Sequence, residues 1–153
     1  LAGEQPGGAL QPVRRFVLAT VLVLLGGCGD PPDTSALRGA LGHWVVINYW
    51  AVWCKPCIKE IPELNRLAQE YPGIRVFGVN YDNETGTELA EQIERLGIEF
   101  PLLAMDPATE LGTPRPVVLP TTLVLAPNGQ LAATLVGPQT LESLVAITRE
   151  AGR

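Results

Sequence analysis

The stretch Trp44-Val45-Val46-Ile47-Asn48-Tyr49-Trp50-Ala51-Val52-Trp53-Cys54-Lys55-Pro56-Cys57-Ile58-Lys59-Glu60-Ile61-Pro62 decides how this chain is read. Its first seven residues are β-branched and aromatic without strict alternation, which predicts a central strand covered on both faces. Beyond the cysteines, Ile58, Ile61, Leu64 and Leu67 recur at helical spacing to about Tyr71, and Pro72-Gly73 supplies a stop. Pro62 falls inside that helix and is expected to kink it. A Cys-x-x-Cys thus lies where a buried strand hands over to a helix. Unpaired backbone N–H groups and the helix dipole there favour an anion on the first sulfur. Cys54 is the expected thiolate nucleophile, with its acidity raised by that setting. Cys57, one turn further in, is expected to resolve the mixed disulfide. Lys55 adds positive charge beside Cys54, and Pro56 fixes a helical φ where no N–H is needed.

Working outward, Ile74 to Val79 reads as a second buried strand, and Thr85 to Leu96 as an amphipathic helix on Leu89, Ile93 and Leu96, closed by Gly97. Phe100 to Ala104 reads as a further short strand, and Asp106 to Leu111 as a short helix opened by an aspartate cap. Thr121 to Ala126 and Leu131 to Val136 flank Pro127-Asn128-Gly129, a hairpin signal. Gln139 to Ala151 closes the chain as a helix. A parallel β-α-β core followed by an antiparallel hairpin and a terminal helix predicts an α/β fold, a mixed central sheet flanked by helices.

The 153 residues, 46% hydrophobic and 18% charged, suit one domain. A net charge of -5 leaves no basic surplus for a phosphate backbone and argues against nucleic acid. The three cysteines divide into Cys28 and the close pair Cys54 and Cys57, and with one histidine, His43, a four-ligand zinc site would need a carboxylate or a second chain to complete it. His43 is expected in an exposed loop, and Trp44 and Trp50 in core or edge packing.

Upstream, Arg14-Arg15 precede the apolar run Phe16 to Leu25, and Gly26-Gly27-Cys28 follow. The run is short for a membrane span, which needs about 20 apolar residues, and has the outline of a signal peptide over residues 1–27. Leu25-Gly26-Gly27-Cys28 resembles a bacterial lipobox, which implies a lipidated Cys28; a secretory signal cut elsewhere, or an uncleaved anchor, are the alternatives. Residues 28–34 would then be the anchor and a short linker, and 35–153 the folded domain.

Asn48 to Pro62, together with Leu119-Pro120-Thr121-Thr122, resemble the two signature segments of the TlpA/ResA-like (DsbE-like) membrane-anchored branch of the thioredoxin superfamily. The resemblance runs from about Ser35 to the C-terminus and implies a thioredoxin fold with that branch's central insertion after Tyr81. It implies a redox-active Cys54–Cys57 disulfide and no other cofactor or metal, and a cis-proline at Pro120 lying against the pair. Leu119 would pair with an extended substrate segment, with Thr121 beside it. Asn48 takes the place of thioredoxin's buried acid, and Glu60 matches a glutamate positioned to exchange protons with the thiols. Trp53 would shield the pair and offer a flat face to partners. Two departures stand out: the N-terminal strands are shortened, and Thr113-Pro114-Arg115-Pro116 is a proline-rich approach to Pro120.

The expected function is reduction of disulfides in exported proteins of cytochrome c or oxidase assembly type. Electrons would come from a membrane dithiol donor, with the domain facing the periplasm on its lipid anchor. The same chemistry run in reverse would make a disulfide oxidant, since reduction potential sets direction. A copper-binding assembly factor using both thiolates, with His43 or Met105 as a third ligand, is an alternative. A peroxide reductase needs a different cysteine setting, and no such motif precedes Asn48.

Overall fold

Strand β1, Trp44–Trp50, is buried almost end to end because it lies inside the sheet. The computed structural model describes residues 35–150 and Gly3. The expected signal segment, Cys28 with its linker, and the helix end at Ala151 lie outside the described residues. Helix α1, Ser35–Gly39, leads into β1, α2 spans Lys55–Glu70 and β2 spans Ile74–Asn80. Then follow α3, Gly86–Leu96, the hairpin β3, Thr121–Leu125, with β4, Leu131–Val136, and α4, Leu141–Glu150. The order across the sheet is β2-β1-β3-β4, β1 pairing in parallel with β2 and antiparallel with β3. This is the mixed sheet the sequence predicts.

Period-two alternation sends the side chains of β1 to two cores. Val46 and Trp50 meet Ile61, Leu64 and Leu67 of α2 and Leu141, Leu144 and Val145 of α4, and Leu89, Ile93 and Leu96 of α3 extend that cluster. Val45, Ile47 and Tyr49 face the other way, toward Ala40, Phe77, Val79 and Leu123. Asn48 shares the first face, so a buried polar group is aimed at α2.

Helix α2 runs through Pro62 as one element. Pro62 is exposed, so the carbonyl of Ile58 that loses its N–H partner lies on the helix's outer side. Gly97 closes α3 in the left-handed region, φ 64°, as its position predicts. Helix α4 starts two residues later than expected, at Leu141, because Thr140 and Ser143 cap one another: Ser143 N–H donates to Thr140 Oγ1 (3.3 Å) and Thr140 N–H to Ser143 Oγ (3.0 Å). That leaves Gln139 outside the helix.

Two expected elements do not form. In place of a strand at Phe100 to Ala104 there is a single parallel bridge, Gly78 to Leu102, held by Gly78 N–H to Pro101 O and Leu103 N–H to Gly78 O, each 2.9 Å. Pro101 has no N–H to continue the ladder. The Asp106 to Leu111 segment forms turns rather than a helix. The aspartate does cap, accepting Ala108 N–H at 2.9 Å, but Gly112 at φ 65° and Pro114 end the run within about one turn. His43 is half-buried rather than exposed, with a buried Nδ1 that has no hydrogen-bond partner.

Candidate active site

Cys54 is the N-cap of α2, in extended geometry at φ -86° and ψ 92°, and its Sγ accepts the Cys57 N–H at 3.2 Å. The two sulfurs are bonded at 1.99 Å, with Cα atoms 5.3 Å apart. Cys54 is 4% exposed and Cys57 0%, so the outer sulfur is the reachable one. Lys55 and Pro56 are exposed on the first turn, and Lys55 makes no ion pair among the described residues.

Glu60 lies one turn after Cys57 on the buried stripe of α2 and is 1% exposed. Its Oε2 accepts from Asn48 Nδ2 at 3.0 Å and its Oε1 from the Gln139 N–H at 2.9 Å. Burial pushes its carboxyl pKa up to about 7, against the lowering effect of the Gln139 and Asn48 hydrogen bonds. Asn48 Nδ2 also donates to Thr122 Oγ1 at 3.0 Å, while Asn48 Oδ1 is buried without a partner. Glu63, the next carboxylate along α2, accepts the Leu141 N–H at 3.0 Å. Two acids of α2 thereby take up backbone donors at the start of α4. Lys55, Pro56, Lys59, Glu60, Gln139 and Thr140 border a groove of about 600 Å³.

The Leu119–Pro120 bond is cis. Pairing of Tyr49 with Thr121 puts Pro120 at the sheet end where β1 runs into the cysteine motif. Pro120 is buried and its carbonyl accepts the Gly137 N–H at 2.9 Å. Leu119 is half-buried and packs against both cores. Thr121 turns away from Asn48 and donates its hydroxyl to the Val118 carbonyl at 2.8 Å; Thr122 is the threonine that meets Asn48. Trp53 is 61% exposed, donates Nε1–H to Asp82 Oδ2 at 2.9 Å and stands edge-on to Tyr81, centroids 6.3 Å apart.

Sequence reasoning singled out Asn48 and Glu60 separately; the structure joins them. It missed Gln139 and Thr122, which complete the network, and Tyr81 and Asp82, which hold Trp53. Alternation along β3 carries a signal for Thr122, since it pairs with Asn48 across the strands. Gln139 carries none. Among the described residues no three His, Cys, Asp or Glu side chains converge as a metal site, and Met105 is exposed.

A mixed sheet, a Cys-x-x-Cys disulfide at a strand-to-helix junction and a cis-proline opening the neighbouring strand define a thioredoxin-fold protein. Residues 26–134 match the AhpC/TSA family. The chain belongs to that family and to the TlpA/ResA-like branch of the thioredoxin superfamily. It is 31% identical over 110 residues to the thiol-disulfide oxidoreductase ResA of Bacillus thuringiensis (strain Al Hakam), a match covering 71% of this chain and 63% of that protein. The chain thus spans under two thirds of that relative. StoA from Bacillus subtilis superposes with a TM-score of 0.58 at 25% identity, over 71% of this chain and 84% of StoA. A DsbF homologue from Corynebacterium diphtheriae shares the fold, with a TM-score of 0.64 at 24% identity over 74% and 75% of the two chains. No helix among the described residues is long and apolar enough to cross a membrane.

Proposed function

We propose that this chain is a protein-disulfide reductase working through Cys54 and Cys57, held facing the periplasm by a lipid on Cys28. Its substrates are exported proteins of the cytochrome c or oxidase assembly type, and a membrane dithiol supplies its electrons. The observation that carries the reading is the disulfide at the start of α2 with a buried carboxyl of pKa about 7 one turn away. The name of the ResA relative, a thiol-disulfide oxidoreductase, supports it.

In the reduced protein the Cys54 thiolate attacks one sulfur of the substrate disulfide. A Cys54–substrate bond forms, the substrate S–S bond breaks, and the second substrate sulfur leaves and is protonated. Cys57 then attacks Cys54 sulfur, closing the Cys54–Cys57 bond and releasing the first substrate sulfur as thiolate. Glu60 as carboxylate accepts the Cys57 proton, for which a pKa near the working pH is well matched. The substrate gains two electrons, and when its released thiolate takes up the proton held by Glu60 it has gained two protons as well; a donor dithiol restores the pair by the reverse exchange. Asn48 and Gln139 hold the Glu60 carboxyl, while Pro120, Leu119 and Thr121 shape the adjoining surface.

The test is the equilibrium reduction potential against glutathione or dithiothreitol, with Cys54→Ser as control. A reversible couple at or below about −220 mV is expected, and one near about −120 mV would make the protein an oxidant. Absence of a couple would sink the redox reading. Cys57→Ser should accumulate the mixed disulfide through Cys54, seen as an intermolecular adduct lost on reduction.

A further inference from the structure

The proline-rich segment before Pro120 is not absorbed by the exchange chemistry, yet its one charged side chain reaches three partners. Arg115 donates Nε–H to Asp106 Oδ2 at 2.8 Å and Nη2–H to the Tyr81 carbonyl at 2.5 Å. Its guanidinium carbon stands 4.2 Å from the Tyr81 ring centroid. Each partner is tied to the active-site end of the sheet. Asp106 Oδ1 accepts from the Tyr49 hydroxyl at 2.7 Å, and Tyr49 belongs to β1. The Tyr81 N–H donates to the Trp50 carbonyl at 2.8 Å. Beyond the Tyr81 ring stands Trp53, held edge-on by Tyr81 and hydrogen-bonded to Asp82.

Resting on the reading of Cys54 and Cys57 as the exchanging pair, we infer that Arg115 is a positioning residue of the exchange site. It clasps the segment leading to Leu119 and Pro120 onto the Tyr81-Asp82 turn, and through Tyr81 it sets the place of Trp53 beside Cys54. Arg115 touches neither sulfur. Its effect falls on the surface that receives a polypeptide disulfide, not on the disulfide's own equilibrium. The flanking Pro114 and Pro116 restrict the backbone, so the clasp orders a segment with little freedom to lose. A planar guanidinium is the group this geometry requires: one face lies over a ring while two edges donate to separate oxygens. A lysine ammonium carries the charge but does not span all three partners at once.

The experiment compares the full chain with R115Q and R115K in three readouts: half-saturation and maximal rate with a cyclic peptide closed by a Cys-x-x-Cys disulfide, equilibrium with glutathione, and acrylamide quenching of Trp53 emission, isolated by subtraction of W53F. Loss of the stacked, charge-assisted contacts in R115Q should raise the half-saturating peptide concentration by about five- to thirtyfold. Maximal rate and glutathione equilibrium should stay within about twofold, and Trp53 should become more quenchable. R115K should recover only a minor part of the effect, and R115Q combined with W53F should fall short of the product of the single effects. If R115Q does not fold, R115K reads the same quantities and its partial loss decides. Unchanged half-saturation and quenching in a folded variant overturn the inference, and so does a loss that R115K repairs fully. A wild-type chain with no reversible couple overturns the exchange reading and this inference with it; a redox-competent wild type with unaffected variants overturns the inference alone.

Discussion

Glu60→Gln isolates the buried acid. In the folded chain the carboxyl titrates at about 7, against 4.5 for the free group. The folded state therefore holds a proton that the unfolded chain releases between those two values. Stability through this group is full below about pH 4.5, falls as pH rises, and levels off above about pH 7, a loss on the order of 3 kcal/mol. Glutamine cannot ionise and removes that slope. Its amide supplies one acceptor where the carboxylate supplies two, while Asn48 Nδ2 and the Gln139 N–H both donate there. Asn48 resolves the conflict by turning its amide over: Oδ1, now without a partner, then faces the new amide, and the Thr122 hydroxyl reverses its role. The substitution should cost about 1 kcal/mol or less at pH 4, and should stabilise the protein by about 1–3 kcal/mol at pH 8. Urea unfolding of the oxidised proteins at half-unit pH intervals measures the difference. Parallel pH–stability curves for the two proteins would refute the reasoning, because they would mean that Glu60 titrates alike in the folded and unfolded chain.

Asn48→Asp should act in the opposite sense, setting a second carboxyl 3.0 Å from Glu60 Oε2. Two buried acids at that distance share one proton, so the variant should lose on the order of 3 kcal/mol more than the wild type between pH 4 and pH 8 in urea unfolding. Gly78→Ala tests the close approach of the 101–103 segment. A Cβ there falls on Leu102 Cδ2 and sits 3.0 Å from both Phe100 and Trp50 Nε1. The expected cost is about 1–3 kcal/mol by thermal unfolding, and a variant as stable as wild type would deny that segment its place against β2.

What the sequence made legible is local. The strand at Trp44 shows in its β-branched and aromatic run, the helix behind the cysteines in its period and the hairpin in its Asn-Gly turn; the strand forms with the bounds expected, and the other two lie within about a residue of theirs. Cys54 and Cys57 could be read as a pair because the motif, the strand end and the helix start are contiguous. The excursion between β2 and β3 resisted reading for the same physical reason. Phe100 to Ala104 has a strand's composition, but whether it pairs is decided by Pro101 and by the bare backbone of Gly78, more than twenty residues back. Asp106 has a cap's identity and makes a cap's hydrogen bond, yet Gly112 and Pro114 leave it nothing long to cap.

The site's polar support follows the same division. Glu60 was visible as a candidate because, three residues beyond Cys57, it matches the glutamate of the TlpA/ResA-like branch. What makes it a group of pKa about 7 is not visible there: Gln139, 79 residues away, supplies one donor, and Asn48, itself bonded to Thr122 74 residues further on, supplies the other. Arg115 and Tyr81, 34 residues apart, meet in the same way. In both cases a group near the cysteines in sequence, Glu60 or Trp53, is held by residues from distant stretches: Thr122 in β3 through Asn48, Gln139 after β4, and Tyr81 and Asp82 after β2, with Arg115 behind Tyr81. Those stretches have no sulfur chemistry of their own. They also reach the site without touching the disulfide, so sequence change there should alter the proton affinity of Glu60 or the set of Trp53 while leaving Cys54 at the head of α2. On the proposed reading, that separation would let one scaffold keep its exchange reaction while the surface that receives a partner changes.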